Sequence, residues 1–88
     1  MAYRVEIERR AYKELKQIPD KEAVKIIEEL VSLSADPYRG KALKGKLLTL
    51  YSLRIRDYRL LYHVNEKTKV VRIARIGHRG EVYKNFRG

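Results

Sequence analysis

Tyr51-Ser52-Leu53-Arg54-Ile55-Arg56-Asp57-Tyr58-Arg59-Leu60-Leu61-Tyr62-His63-Val64 is the stretch that decides the fold. Tyr51, Leu53 and Ile55 fall on one face of an extended chain, and Ser52, Arg54 and Arg56 on the other. Asp57 sits where a tight turn is needed, and Tyr58–Val64 reads as the next strand. Tyr58, Leu60, Tyr62 and Val64 share a face, which makes the two tyrosines core aromatics; His63 reads as an ordinary sheet histidine. Downstream, Asn65-Glu66-Lys67-Thr68 forms a four-residue hairpin loop. Val70 to Ile76 is a third strand that Gly77 ends. These connections are too short for parallel crossovers, so strands 47–56, 58–64 and 69–76 are expected as an antiparallel meander. Residues 79–86 are expected to form a last helical turn carrying Val82, Tyr83 and Phe86.

Upstream, residues 2–8 alternate, with Tyr3, Val5 and Ile7 on one face, as a half-buried strand does. The period then changes. Ala11, Leu15 and Ile18 stand four and three apart, predicting a helix over 9–18 that Pro19 stops. Asp20 suits the N-cap of a second helix over 20–35, with an apolar stripe of Ala23, Ile26, Ile27, Leu30 and Val31. Asp36-Pro37 closes it and Tyr38-Arg39-Gly40 opens a loop. The fold class expected is α+β: an N-terminal strand, a helical hairpin and a three-stranded antiparallel meander. That makes a four-stranded sheet with helices on one face, in a single domain spanning 1–88.

Composition narrows the function. Eighty-eight residues, 44% of them hydrophobic, supply one modest core and no deep pocket for a bulky cofactor. Cysteine is absent, which excludes disulfides, thiolate nucleophiles and cysteine-ligated metals. His63 and His78 cannot make a metal site by themselves. No apolar segment is long enough for a membrane span, and MAYRVEIERR alternates with charge where a signal segment would be apolar. A cytoplasmic location is expected. The net charge is +10, and it is uneven. Residues 1–40 carry eight basic and eight acidic side chains; residues 41–88 carry thirteen basic and three acidic. One-sided positive charge is suited to steering and holding a phosphate backbone.

The face of the sheet without helices should carry that charge. Ser52, Arg54 and Arg56 alternate on one strand, Arg59 lies across the turn, and Arg75 and Arg79 bracket the end of the third strand beside His78. Several guanidinium groups on one concave sheet can grip phosphates bidentately. Tyr83 and His78 offer flat surfaces for unpaired bases, which points to single-stranded RNA. Some of these residues have a second reading. Arg56 is also an exposed strand-end charge, and Arg75 is also a partner for a carboxylate such as Glu81. Tyr83 can pack in the last turn, and His78 can serve as a polar residue at a strand end.

Three segments resemble a known family: Leu43-Lys44-Gly45, then Tyr51-x-Leu53-Arg54-Ile55-Arg56-Asp57-Tyr58-Arg59-Leu60-Leu61-Tyr62, and finally Ile76-Gly77-His78-Arg79-x-Glu81-Val82-Tyr83. Together with the opening strand and helical hairpin, they are similar to the RelE branch of the RelE/ParE toxin superfamily. The resemblance implies a ribosome-dependent endoribonuclease that cleaves mRNA in the A site and is neutralised by a cognate, RelB-like antitoxin. It implies no metal and no small-molecule cofactor, since arginines supply the charge that magnesium would otherwise supply. The chemistry is attack of a ribose 2′-oxygen on the adjacent phosphate. It requires a base, charge stabilisation and an acid. By resemblance, Arg59 stabilises the phosphate and Arg79 serves the leaving side. Tyr83 stacks on the base and orients the 2′-OH.

Arg54 and Ser52 fall where the type member has lysines. A guanidinium stays protonated in proteins and makes a poor base. The base is therefore open among His78, whose side-chain type titrates near pH 6.5, Lys44 and Lys46. Lys44, Lys46, Arg56 and Arg75 complete the expected RNA contacts. Two other activities remain open on the sequence: inhibition of DNA gyrase, as in the ParE branch, and nucleic-acid binding without catalysis.

Overall fold

The computed structural model of the protein describes residues 2–43 and 50–78. Along the chain run β1 (Arg4–Ile7), α1 (Arg9–Lys16), α2 (Asp20–Ala35), β2 (Lys41–Leu43), β3 (Leu50–Ile55), β4 (Tyr58–Asn65) and β5 (Val70–His78). The strands form one sheet in the order β1-β5-β4-β3-β2. β1 lies parallel to β5, and every other neighbouring pair is antiparallel. The α+β class and the meander are as expected, but among the described residues the sheet has five strands, where four were expected. The extra one is β2, whose Lys41 pairs opposite Ser52. Three residues are too few to show the alternation by which a strand is read. β5 also runs through Gly77 to His78 before ending.

The helices follow local rules, with small departures. α1 stops at Lys16, and Gln17 and Ile18 close it with bonds to the carbonyls three residues back, at 3.1 Å each. The residue before a proline is pushed out of the α region, so Ile18 cannot continue the helix into Pro19. α2 begins at Asp20 itself, so Asp20 is not the cap. The Pro19 carbonyl accepts from the Glu22 and Ala23 N–H groups at 3.0 and 2.9 Å. Asp20 and Glu22 still place negative charge in the first turn, where the helix dipole favours it. The buried stripe of α2 is Ile26, Leu30 and Leu33, with Ala23 partly covered, whereas Ile27 and Val31 are exposed. Ile27 and Val31 stand one residue further round the helix than the contacting row, about 100° away.

The core lies between the helix layer and one face of the sheet. Ala11, Leu15, Ile18, Ile26, Leu30 and Leu33 from the helical side meet Ile55, Tyr58, Leu60, Tyr62, Val71, Ile73 and Ile76 from the strands. Tyr62 is fully buried, and its hydroxyl ties the chain together. It donates to the Pro37 carbonyl at 2.9 Å and accepts from the Gly40 N–H at 2.9 Å, pinning the loop between α2 and β2 to the middle of the sheet. Gly40 is required there by close approach, since a Cβ would come within 2.6 Å of the Tyr62 hydroxyl and 2.9 Å of the Ser52 carbonyl oxygen. The Tyr62 ring stacks on Tyr51 with centroids 5.5 Å apart, and Tyr51 meets Tyr38 edge-on at 5.6 Å.

β5 contains an irregularity that sets its two faces. Leu61 pairs with Arg75 and Tyr62 with Ile73, so Ala74 is an extra residue on β5, a β-bulge. The bulge allows Ile73 and Ile76, three apart, both to enter the core.

Removing the Tyr62 hydroxyl tests how far it holds the loop. Tyr62→Phe strips the Gly40 N–H and the Pro37 carbonyl of their partner and should cost about 1–3 kcal/mol at neutral pH. Burial raises the Tyr62 phenol above its ordinary value. Its contribution is therefore fully present below the unfolded value near pH 10 and is lost as pH rises through the higher folded one. Urea melts at pH 7 and above pH 10 should show a lower wild-type midpoint at the alkaline end and a shallower decline for Tyr62→Phe. Equal midpoints for both proteins at pH 7 would show that the hydroxyl is dispensable.

Candidate nucleic-acid interface

Residues directly opposite on neighbouring antiparallel strands point to the same face. Leu53 opposite Leu60 and Tyr51 opposite Tyr62 face the helices, which leaves the intervening pairs on the helix-free face. There Arg54 stands opposite Arg59, and Arg59 in turn stands opposite Gly77. The next row is Lys41, Ser52, Leu61 and Arg75, and beyond it His63 faces Arg72 and Arg72 faces Glu6. The expected arginine-bearing face is present, but it is not uniformly open. Arg54 and Arg72 are exposed and Arg59 is half-buried, while Ser52, Leu61 and Arg75 are buried.

How each cation is held differs across this face. At the β3–β4 end, Arg59 Nη1 donates to Ser52 Oγ at 3.0 Å, and Arg54 Nε donates to the Arg56 carbonyl at 3.3 Å. These two acceptors are neutral oxygens, and each fixes the direction of the N–H that meets it. At the β1–β5 end the partners are carboxylates. Arg4 and Arg72 lie 2.9 and 4.0 Å from Glu6.

Arg75 donates from Nε to Glu14 Oε2 at 3.0 Å, and Glu14 Oε1 accepts from the Ile76 N–H at 2.9 Å. β1 ends opposite Ile73, and among the described residues no strand pairs with the outer edge of β5 beyond that point; Glu14 of α1 takes the place of one. Arg75 thus has the carboxylate partner that was one of its two readings, with Glu14 in that role. At 7% exposure it is a structural ion pair more than a phosphate ligand. Residue Glu81, the partner considered from the sequence, lies outside the described residues.

The remaining candidates sort as follows. Arg56 is the first residue of the two-residue turn, exposed, at φ 56°. That turn position takes it out of the strand row that Arg54 belongs to. His78 is exposed at the end of β5 and stands opposite Tyr58, with ring centroids 4.5 Å apart. Tyr58 faces the helices, so His78 leaves the sheet on the side opposite Arg54 and Arg59 and is not brought together with them. Lys44, Lys46, Arg79 and Tyr83, together with the expected helical turn over 79–86, lie outside the described residues. Among the described residues no group of three or more His, Cys, Asp or Glu could hold a metal ion, and no helix is long and apolar enough to cross a membrane.

One cationic surface was missed. Arg9, Arg10, Lys13 and Lys16 are all exposed on α1, and with Glu14 and Gln17 the first three line a concavity of about 440 Å³. Summing charge over residues 1–40 hides it, because all but one of the acidic residues that balance it lie outside α1. The local signal was there in Arg9-Arg10 and Lys13-x-x-Lys16, four cations in eight residues against one acid.

Comparison with known proteins places this arrangement in a class. The family described as ParE toxin of type II toxin–antitoxin systems, parDE, matches residues 5–83. The chain belongs to the RelE/ParE superfamily of toxins from toxin–antitoxin pairs. Among characterised relatives, toxin RelG of Mycobacterium tuberculosis is 33% identical over 86 residues, covering 96% of this chain and 99% of that one. The crystal structure of the RelBE2 toxin–antitoxin complex of M. tuberculosis superposes with a TM-score of 0.82 at 32% identity, over 90% of this chain and all of the matched one. The archaeal RelE–RelB complex of Pyrococcus horikoshii does so at 0.81 and 34%, over 91% and 98%.

The Glu14–Arg75 pair predicts a stability effect separable from RNA contact. Glu14→Ala leaves a largely buried guanidinium without its carboxylate and the Ile76 N–H without its acceptor, and should cost about 3 kcal/mol. For a domain of this size the thermal midpoint should fall by roughly 12–24 °C. A shift of only two or three degrees in a calorimetric scan would show that the pair is not holding α1 to β5.

Proposed function

We propose that the protein is a ribosome-dependent endoribonuclease that cleaves mRNA in the A site, and that a cognate RelB-like antitoxin neutralises it. The observation that carries the reading is the row in which Arg54 faces Arg59 on the helix-free face, with Arg59 Nη1 donating to Ser52 Oγ. Cations so placed can balance the extra negative charge of a five-coordinate phosphate as the 2′-oxygen attacks and the 5′-oxygen departs. Relatives named as RelE-family toxins, and solved RelE–RelB complexes of the same fold, support the toxin and antitoxin parts of the proposal.

Within it, Arg59 and Arg54 contact the phosphate, Arg79 serves the leaving oxygen, and Tyr83 stacks on the base beside the cleaved bond. The orientation of His78, away from that row, moves the base role toward Lys44 or Lys46. The partner antitoxin should be acidic where it meets residues 41–88, whose charge would otherwise repel a second basic surface. No cofactor enters the scheme, and cleavage would take place in the cytoplasm.

A second reading follows from the family match itself, which is described for the ParE toxin. In that reading the same sheet binds DNA gyrase and cleaves nothing. Primer-extension mapping on a message under translation separates the two, since only the nuclease creates new 5′ ends within codons, and a supercoiling assay covers the gyrase alternative. Arg59→Ala and Arg79→Ala should each slow single-turnover cleavage on A-site-loaded ribosomes by roughly 10²–10³-fold. Ribosome affinity should fall much less, since many cations remain. Tyr83→Phe should retain most activity, Tyr83→Ala should not, and His78→Ala should stay near wild type. Full activity in both arginine variants would sink the catalytic assignment and leave a binding module.

A further inference from the structure

We propose that Ser52 is a positioning residue, one that orients the Arg59 guanidinium toward the phosphate while Arg54 is turned aside; the proposal rests on the endoribonuclease reading above. Arg54 and Arg59 face each other across β3 and β4. Like charges directly opposite on one face repel, so two arginines in this register have to lean apart. The structure shows the direction each takes. Ser52 lies two residues back from Arg54 along β3, away from the turn, and its Oγ accepts from Arg59 Nη1 at 3.0 Å on the diagonal. Arg54 Nε donates in the opposite sense, toward the turn, to the Arg56 carbonyl at 3.3 Å. The two guanidiniums therefore diverge along the hairpin.

Burial assigns the roles. Ser52 is 3% exposed, whereas Arg59 retains partial exposure. A buried serine that accepts from the guanidinium can set its position without meeting the substrate. Arginine carries about 2 kcal/mol of rotamer entropy, and ordering it before the substrate arrives spares that cost at the reacting step. A hydroxyl suits the position because it accepts an N–H bond and adds no charge beside the guanidinium.

The test uses the full-length protein and A-site-loaded ribosomes under single-turnover conditions. Ser52→Ala should slow cleavage about tenfold, the scale of one lost orienting bond, with ribosome affinity and thermal midpoint close to wild type. Ser52→Thr, which keeps the hydroxyl, should recover most of the rate. Ser52→Ala combined with Arg59→Ala should be no slower than Arg59→Ala alone, because the serine acts through the arginine. Nitrogen-15 relaxation at Arg59 Nε, measured on the free protein, should report greater mobility in Ser52→Ala.

Wild-type rate in Ser52→Ala, an additive loss in the double variant, or unchanged Arg59 mobility overturns the proposal. If the wild-type protein leaves the message intact, the nuclease reading fails instead. The relaxation measurement then still decides whether Ser52 orders Arg59.

Discussion

The two-residue turn between Ile55 and Tyr58 sets the register of β3 against β4, and both the core and the cationic face depend on it. A slip of one residue would reverse every side chain on one strand, carrying Tyr62 out of the core and Arg59 into it. The turn holds Arg56 at φ 56°, in the left-handed region that a non-glycine residue enters at a cost of roughly 1–3 kcal/mol. What offsets this is cooperative. With the register set, the Tyr62 hydroxyl meets Pro37 and Gly40, the Tyr51 ring stacks on Tyr62, and the loop leaving α2 is fixed against the sheet. The same register delivers Arg54 opposite Arg59. Core and site are thus two faces of one pairing, and a substitution that loosens the turn would disturb both.

The bulge at Ala74 performs a comparable task on β5. Without it, strict alternation would send Ile73 and Ile76 to opposite faces, and one of them would leave the core. With it, both isoleucines are buried, and Arg72 and Arg75 come to the helix-free face together. It also places Gly77, which has no side chain, beside Arg59, and turns His78 to the other side against Tyr58. One inserted residue thus sets a glycine opposite Arg59 and turns the histidine away from it.

What was legible in the sequence follows from these devices. The hairpin, the two helices and the identity of Tyr58 and Tyr62 as core residues could be read because period and turn chemistry agreed over long segments. The arginine-bearing face could be read from Ser52, Arg54 and Arg59 for the same reason. β2 could not be read, because three residues carry no period and its existence depends on the partner strand. His78 was assigned to the arginine side by proximity in sequence; its true side depends on counting through a bulge, for which Ile73 and Ile76 at a spacing of three were the available hint. Ile27 and Val31 were assigned to the core because a helix with apolar residues over more than half its circumference does not reveal which part meets the sheet. Glu14 and Arg75, 61 positions apart, meet only through the tertiary fold.

The distribution of charge ties these strands of argument together. A sheet crowded with arginines is costly unless the repulsion is relieved, and this protein relieves it differently at its two ends. Toward β1, Glu6 is shared by Arg4 and Arg72 while Glu14 pairs with Arg75 and ties α1 to the sheet edge. Toward β3, Arg54 and Arg59 donate to a carbonyl and a hydroxyl, which fix direction. Such a difference cannot be inferred from the count of basic residues, since every cation contributes equally to +10. It follows from which oxygens the fold brings to each guanidinium. A guanidinium whose direction is set before a polyanion arrives turns electrostatic attraction into a defined position, and on the β3–β4 hairpin the Ser52–Arg59 bond sets such a direction.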